Sequence, residues 1–565
     1  MRSLLALMAA LAALSVAPCL ASAAPVPDGA TWTEATIPSS DGVRLHADIL
    51  RPSHLAPEAK TPVILSIGPY FNHAGQTGAI GPAQGTSYDP LGPSSGPSER
   101  FYDLVEGARL MERGYSFVMV DLRGFGGSTG CLDWAGPGEQ ADVIEAVKWA
   151  AGQPWSNGRV GMYGKSYDGV TGLIGVNRRP PGLAAVVAQE PVYDLYRYLY
   201  GDGIRRLNSL ATPALYDGIA ATPGPLLDDP GYTQAALDDT QRPGCKALNW
   251  ADQAADDDHF SPFWRARDLI PGAEGSTVPL FLTQGLTENN TVADGTAQYL
   301  QNHDGFQRAW LGPWDHVRGN ETDDEGRLLM GRQGFFDEVV RFYDRFLKGV
   351  KPRVKDPQFA IQTNDGRWRG ERAWPPADAI GYTSQLLPGS YLDDGDGAAT
   401  GSGAEEGVWT ISPPLAHDAH LAGSGRAMVD VSTPLPRSNV VVDVYDLDES
   451  GTGPLITRQG HMIYGSGRIE LDLWSADWKL ARGHRLAVRV TDANPDWWIH
   501  VPTLQDVTVH SAQVTLPFLT KRRVGSTQGV PGPQLEDYLE ETVTVPPETI
   551  ESAESESFSL PPRQR

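Results

Sequence analysis

A strand that leads directly into a serine between glycines is the feature that most restricts the fold of this chain. The segment 159–163 is mostly apolar, and Gly164, Ser166 and Gly169 follow it. Small neighbours are needed where a strand turns sharply into a helix, because a Cβ would collide with the adjoining backbone. The pattern therefore predicts a nucleophile elbow. Its last glycine lies three residues after the serine, so the strict Gly-x-Ser-x-Gly motif does not match.

The chain on both sides of this serine is typical of a parallel sheet. Between residues 61 and 166, strand segments alternate with helices that each have one apolar face. Three short apolar segments follow, at 183–191, 278–285 and 308–314. Because they do not alternate with polar residues, they are predicted to be buried parallel strands. This order indicates the α/β class.

Changes of pattern along the 565 residues indicate several parts. After the elbow the alternation stops and helix-like patches appear, which predicts an inserted helical cap. Later, short strands with period two are separated by Gly, Asp and Pro turns, which predicts a C-terminal β-sandwich of the jelly-roll type. The predicted parts are a signal peptide at 1–23, an α/β-hydrolase core at 31–190 and 271–352, the cap at 191–270, the sandwich at 356–546 and a disordered acidic tail at 547–565.

The first residues have the composition of a secretory signal peptide. A charged start at Arg2 precedes an apolar segment and small residues, with cleavage predicted after Ala23. We therefore expect a secreted protein with no integral membrane segment in its mature part. The mature chain keeps Cys131 and Cys245. An oxidising compartment would allow them to pair, but two separate buried thiols fit the spacing equally well.

Charge and motif spacing exclude some ligands. A formal net charge of −24 repels phosphate backbones, so nucleic-acid binding is not expected. The glycine-rich run from Gly124 to Gly130 does not open directly into a helix, and it is interpreted as a structural loop instead of a dinucleotide site. His417 and His420 are too few ligands for a metal site. No cofactor or metal is predicted, and the oligomeric state is left open.

A serine nucleophile needs a base and an acid, which in this fold should follow it along the chain, each just after a strand. His316 follows the last predicted strand of the core and is the candidate base. Glu288 lies three residues after the glycine that ends the preceding strand, and it is the preferred acid. Asp294, expected on the next helix, and Asp315, adjacent to the histidine, are the alternatives.

Several segments, in this order, resemble the serine hydrolase family that contains cocaine esterase, the X-prolyl dipeptidyl-peptidases and the α-amino acid ester hydrolases. The segments are Gly68-Pro69-Tyr70, VDLRGFGGSTG from Val120 to Gly130, QPWSNGRVGMYGKSYDG from Gln153 to Gly169, DDDHFSPFWRARD in the cap and GPWDH ending at His316. The resemblance covers nearly the whole mature chain. It implies an α/β-hydrolase core, a helical cap and a C-terminal jelly roll, which agrees with the parts predicted above.

The resemblance also implies roles for single residues. By matched position, Ser166 is the nucleophile and His316 the general base. The hydroxyl of Tyr70 and the backbone N–H of Tyr167 form the oxyanion hole, where a phenol can donate to the developing negative charge. Glu288 stands where the family has Asp, so its carboxylate is carried on a side chain one methylene longer.

The expected reaction is cleavage of a small ester or a short X-Pro peptide through an acyl-enzyme. A substrate with a free amino group would need buried carboxylates. The positions where amino-ester hydrolases have two such acids read Asn290 and Thr291, and Asp202 in the cap is a remaining candidate. A carboxylic ester hydrolase is therefore preferred. The alternatives are an X-Pro dipeptidyl-peptidase and a non-enzymatic surface or carbohydrate-binding protein.

Overall fold

The computed structural model describes residues 26–71, 73, 77–78, 81–82, 96–220, 230–232, 234–235, 245, 256–395 and 406–564. The predicted signal peptide and much of the predicted cap lie outside the described residues. The chain forms two compact units, the first comprising Met1–Met162, Pro180–Leu183 and Thr212–Ala251, and the second comprising Tyr163–Arg179, Ala184–Ala211 and Asp252–Arg565.

The first unit is built on a mixed sheet in the order β1-β2-β6-β3-β7. The strands of this sheet are β1 Ala30–Pro38, β2 Arg44–Pro52, β3 Thr61–Gly68, β6 Ser116–Asp121 and β7 Ser156–Lys165. Two short strands, β4 Thr77–Gly78 and β5 Gly81–Pro82, pair with each other. Strand β3 is buried along its whole length and pairs in parallel with β6 and β7. The predicted alternation of strands and helices is therefore confirmed in this unit.

Two helices of the first unit follow β3 and β6, at Tyr102–Gly107 and Pro137–Gly152. The first ends at Gly107, and it cannot continue through Arg109, which adopts a left-handed backbone with φ 50°. The unit also contains a disulfide between Cys131 and Cys245, whose Cα atoms are 5.5 Å apart. Of the two possibilities left open for these cysteines, the structure has the pair.

The second unit contains a sheet in the order β8-β11-β12-β13-β14. Its strands, with one short hairpin, are β8 Leu183–Gln189, β9 Tyr200–Gly201, β10 Ile204–Arg205, β11 Leu280–Gly285, β12 Gln307–Gly312, β13 Phe359–Gln362 and β14 Trp368–Glu371. Strands β8, β11, β12 and β13 are parallel, and β11 is wholly buried. This confirms the prediction of buried parallel strands after the elbow.

Further helices occur in the described part of the chain. They are Tyr167–Arg178, Leu195–Leu199, Asn208–Ala220, Pro262–Arg265, Thr296–Asn302 and Phe335–Leu347, with a 3₁₀ turn at Pro271–Ala273. Three of them, at 195–199, 208–220 and 262–265, lie in the segment predicted to be a helical cap; the boundaries of that cap stay a prediction. Among the described residues, no helix is both long enough and apolar enough to cross a membrane.

The C-terminal part of the second unit is antiparallel and β-rich. Its strands are β15 Ala379–Leu386, β16 Gly389–Leu392, β17 Val408–Ile411, β18 Ala419–Ser432, β19 Ser438–Leu447, β20 Thr452–Ile463, β21 Ser466–Leu480, β22 Arg485–Thr491, β23 Asp506–Leu519 and β24 Thr542–Thr544. One sheet has the order β15-β23-β18-β21, with β16 also on β23, and the other has the order β17-β22-β19-β20-β24. Val429 and Leu516 of the first sheet share one apolar core with Val442 and Val488 of the second. The two sheets therefore form the predicted β-sandwich.

The prediction of a disordered tail from residue 547 is wrong. After a helix at Pro533–Glu540, the chain forms a further helix at Pro547–Ala553, and the N–H of Ser555 donates to the carbonyl of Ile411 at 2.9 Å. Phe558 is only 8% exposed and packs into the sandwich core. The prediction relied on the average composition of the segment, which is polar. An average does not show that a single apolar side chain, Phe558, anchors the segment to the sandwich.

We predict that Phe558→Ala lowers the free energy of unfolding by about 3 kcal/mol, because it removes a buried ring and leaves a cavity. Chemical denaturation of the purified protein measures the change. Glu556→Ala, at an exposed position in the same segment, should leave the free energy of unfolding unchanged. Equal stability of the two variants would show that the tail does not pack on the sandwich.

Candidate active site

Ser166 has the backbone conformation of a nucleophile elbow. It joins β7 to the helix Tyr167–Arg178 with φ 64° and ψ −127°, a region that non-glycine residues rarely adopt. A Cβ on Gly164 would lie 2.1 Å from the carbonyl oxygen of Asp168, so only glycine fits there. The N–H of Gly169 donates to the carbonyl of Ser166 at 2.8 Å. The spacing that departs from the strict motif is thus compatible with the turn.

Hydrogen bonds to Gln189 and to His316 hold this turn in place. The N–H of Ser166 donates to the carbonyl of Gln189, at the end of β8, at 2.9 Å. The side-chain oxygen of Gln189 accepts from the N–H of Gly319 at 3.1 Å. Lys165, the residue before the serine, donates through Nζ to the carbonyl of His316 at 3.0 Å. The serine turn and the loop that carries the histidine are therefore linked by hydrogen bonds.

The structure brings the candidate base and the preferred acid into contact. His316 follows β12 and Glu288 follows β11, and these strands are parallel neighbours. Nδ1 of His316 hydrogen-bonds to Oε1 of Glu288, which is fully buried. The same oxygen accepts from the N–H of Thr291 at 3.0 Å and from its hydroxyl at 2.5 Å. Gln284 donates to the other carboxylate oxygen at 2.7 Å. Four donors from three residues thus converge on the carboxylate of Glu288.

These contacts decide the protonation states. Burial alone would raise the pKa of Glu288, but the charge and hydrogen bond of His316 outweigh it and lower the pKa to about 2. Burial lowers the pKa of His316, and the positive charge of Lys165 lowers it further, against the opposing effect of Glu288. An ionised acid therefore orients an imidazole that stays neutral, and able to accept a proton, to lower pH than an exposed histidine.

The two alternative acids have other partners. Asp294 accepts from Arg197 Nη1 at 2.6 Å and from the side chain of Gln459 at 3.1 Å. Asp315 accepts from the N–H of Asn289 at 3.3 Å. Neither carboxylate is hydrogen-bonded to the imidazole of His316 in the part of the chain that the structure describes. The longer Glu288 side chain therefore occupies the position of the acid.

Glu190, a second buried glutamate beside this pair, was not predicted from the sequence. It follows Gln189, is 0% exposed and has φ 44°. Its carboxyl group accepts from the N–H of Gly285 at 2.7 Å and from Nε1 of Trp314 at 3.0 Å. Burial and the negative charge of Glu288 raise its pKa well above the ordinary value. A signal was present, because a glutamate at the end of an apolar parallel strand has to be buried.

The two oxyanion-hole candidates lie in different units. In the first unit, Tyr70 follows β3 and is 3% exposed. Its hydroxyl hydrogen-bonds to that of Tyr216 at 2.7 Å, and the guanidinium carbon of Arg100 lies 3.9 Å from its ring centroid. Tyr216 is a second residue that the sequence analysis did not identify. In the second unit, Tyr167 is the first residue of the helix after Ser166.

The positions considered for amine recognition are neutral or already paired. Thr291 binds Glu288 through its hydroxyl, and the carbonyl of Asn290 accepts from Asn208 at 2.7 Å. Burial raises the pKa of Asp202, although His461 and Arg197 lower it in part. Thr291 and Asn290 are thus engaged in hydrogen bonds of the fold, and burial disfavours the charged form of Asp202 that would bind an amine.

Among the described residues, three groups of side chains have the composition of metal ligands. Their potential ligand atoms lie within 4.8 Å of one another, and the groups are Glu34, His46, Asp48 and His73; Asp194, His259 and Asp268; and Asp393, Asp492 and His500. Each histidine lies at hydrogen-bond or ion-pair distance from a carboxylate, as His259 does from Asp194 at 2.7 Å. Outside these groups, His420 bonds to Asp477 at 3.0 Å and His417 to the carbonyl of Pro561 at 3.0 Å. These histidines are held by hydrogen bonds.

Comparison with known families identifies the class. Residues 41–318 match the family described as X-Pro dipeptidyl-peptidase (S15 family), and residues 352–529 match the X-Pro dipeptidyl-peptidase C-terminal non-catalytic domain. The elbow, Glu288 and His316 all lie within the first match. The chain therefore belongs to the S15 family of α/β serine hydrolases, which also confirms the resemblance drawn from its motifs.

Individual relatives carry different names. The chain is 25% identical over 454 residues to a putative Xaa-Pro dipeptidyl-peptidase of Streptomyces avermitilis, covering 72% of this chain and 61% of that protein. It is 26% identical over 394 residues to cocaine esterase of a Rhodococcus species, covering 63% of this chain and 62% of the esterase. The chain thus spans about three fifths of the length of these relatives.

A solved structure supports the fold. A CocE/NonD family hydrolase from Staphylococcus aureus superposes with a TM-score of 0.65 at 17% identity, covering 86% of this chain and 93% of that one. At this identity the likeness shows the architecture alone.

We predict that Lys165→Met raises the pKa of His316, because it removes the positive charge that disfavours the imidazolium. A rise of about half a pH unit is expected for a partly exposed charge, measured by NMR titration of selectively labelled histidine. Lys148→Met, which removes a surface lysine paired with Glu145, should leave the His316 pKa unchanged. A pKa of His316 that is the same in both variants would contradict this electrostatic role of Lys165.

Proposed function

We propose that this serine hydrolase cleaves carboxylic esters through an acyl-enzyme, with Ser166 as nucleophile. The contact between His316 Nδ1 and the buried Glu288 carries the proposal, because it fixes the imidazole tautomer with Nε2 as proton acceptor. The left-handed elbow at Ser166 supports it as well. Family membership weighs against the non-enzymatic alternative.

The reaction follows in two halves. Ser166 Oγ attacks the ester carbonyl while His316 takes its proton, and Glu288 stabilises the imidazolium that forms. The hydroxyl of Tyr70 and the N–H of Tyr167, assigned by their family positions, stabilise the oxyanion. His316 then protonates the departing alcohol. Water, deprotonated by the same imidazole, attacks the acyl-enzyme and releases the acid and the serine.

The charges near the acid support an ester without a free amino group. Binding an ammonium group requires a carboxylate that is ionised and has no other cation. Asp294 is already paired with Arg197, and burial disfavours the charged form of Asp202. X-Pro dipeptidyl-peptidase activity is the second candidate, since the family description and the Streptomyces relative carry that name.

We also propose that the protein is secreted. The disulfide between Cys131 and Cys245 supports export to an oxidising compartment, as does the leader-like composition of the first residues. Expression of the full chain in a bacterial host should yield exported protein that starts at Ala24, as read by N-terminal mass spectrometry. Retention of the unprocessed chain inside the cell would contradict the proposal.

We predict that a fluorophosphonate probe labels the wild-type protein and does not label Ser166→Ala. With the same enzyme preparation, turnover of simple acyl esters should exceed turnover of Gly-Pro and Ala-Pro anilides. Probe labelling is read on gels, and turnover is read by release of the chromophore.

Three outcomes are informative. Equal labelling of wild type and Ser166→Ala would exclude Ser166 as nucleophile. Dominant anilide turnover, with labelling at Ser166 intact, would replace the ester preference with dipeptidyl-peptidase activity. Absence of both labelling and turnover would overturn the hydrolase proposal.

A further inference from the structure

Two glutamates side by side in the interior need an explanation beyond the triad. Glu190 and Glu288 are both 0% exposed, and their carboxyl groups share one hydrogen-bond donor. The side-chain amide of Gln284 bridges them, donating to Glu190 at 3.2 Å and to Glu288 at 2.7 Å. Two ionised carboxylates this close would repel strongly in a medium of low dielectric constant.

The hydrogen bonds show which of the two acids is ionised. Glu288 accepts from His316, from both donors of Thr291 and from Gln284. Three of these contacts converge on Oε1, and one of them comes from the imidazole, so Glu288 carries the charge. The donors to Glu190 are all neutral: the N–H of Gly285, Nε1 of Trp314, and the side chains of Thr283 and Gln284 at 3.2 Å. With no cationic partner among the described residues, Glu190 is the acid that keeps a proton, which it can donate towards Glu288.

The main chain of Glu190 is held as firmly as its side chain. Its N–H donates to the carbonyl of Thr283 at 2.9 Å, and its carbonyl oxygen lies 3.0 Å from the hydroxyl oxygen of Thr291, whose one proton is donated to Glu288 at the shorter distance of 2.5 Å. Thr291 is the residue that also binds Glu288. The backbone of Glu190 is left-handed, which is unfavourable for a residue with a side chain. The fold maintains this conformation and so directs the carboxyl group at the acid.

We propose that Glu190 is a positioning residue that donates a hydrogen bond to Glu288, so that the buried acid pair presents a single negative charge to His316. The pair also accounts for the glutamate at position 288, where the resemblance implies an aspartate. The longer side chain meets His316 on one side while it accepts from Thr291 and Gln284, and Glu190 supplies the remaining contact. The proposal rests on the proposed role of Glu288 in the triad.

The number of charges can be tested without an assay of activity. Glu190→Gln keeps a neutral group that both donates and accepts, so the pKa of His316, measured by NMR titration, should move by less than about 0.3 units. If Glu190 is instead ionised in the wild type, the same change removes a negative charge near the imidazole. The pKa of His316 would then fall by one unit or more, and the single-charge proposal would be overturned.

The positioning role needs a second variant. Glu190→Leu removes the donor to Glu288, and it should abolish the downfield Nδ1–H signal of His316 and lower kcat for esters at least tenfold, with KM little changed. Glu190→Gln should keep both the signal and kcat within threefold. Retention of the signal and of kcat in Glu190→Leu would overturn the role.

A matched control separates positioning from stability. Glu338 is also buried and accepts from a tryptophan, Trp310, through Nε1 at 3.2 Å, but Arg332 is its charged partner. Glu338→Gln should lower stability and leave the Nδ1–H signal in place. Because the NMR readouts do not require turnover, loss of the proposed ester activity and loss of the Glu190 proposal give different results.

Discussion

The hydrogen bond from the N–H of Ser166 to the carbonyl of Gln189 is the interaction on which the site depends. A left-handed backbone at a serine costs about 1–3 kcal/mol, so the conformation persists only if its surroundings hold it. Gln189 lies at the end of β8, which pairs with β11, and β11 leads to Glu288. The elbow, the acid and the base are therefore located by the ends of neighbouring parallel strands. Such strand ends are the least mobile places from which loops can present side chains.

Electrostatics then divides the roles of two chemically identical side chains. Burial raises the pKa of Glu190 and of Glu288 alike when no partner is considered. His316 and Thr291 reverse the effect for Glu288, whereas the nearby negative charge adds to it for Glu190. Environments that give two similar titratable groups very different pKa values are characteristic of catalytic sites. Lys165 adds a third effect, because its positive charge lowers the pKa of the His316 imidazole.

Much of the fold could be derived from local pattern, and the failures have physical causes. The apolar strands and the period-two segments were informative for a simple reason. A strand buried on both faces is apolar throughout, and a strand buried on one face alternates between apolar and polar residues. The tail was not, since a single ring, Phe558, decides whether a polar segment packs. The pairing of Cys131 with Cys245 was also undecidable, because they are separated by 114 residues and spacing does not determine connectivity.

By itself, the sequence determined the class of fold, the serine at the elbow and the order in which acid and base follow it, because these depend on short-range sterics and on strand order. Only the tertiary structure decided that Glu288, and not Asp294, meets the histidine, because that choice depends on which donors surround each carboxylate. It also revealed Glu190, whose hydrogen bond to Gly285 joins positions 95 residues apart. Contacts of that kind arise from the packing of whole strands, which no local pattern of residues records.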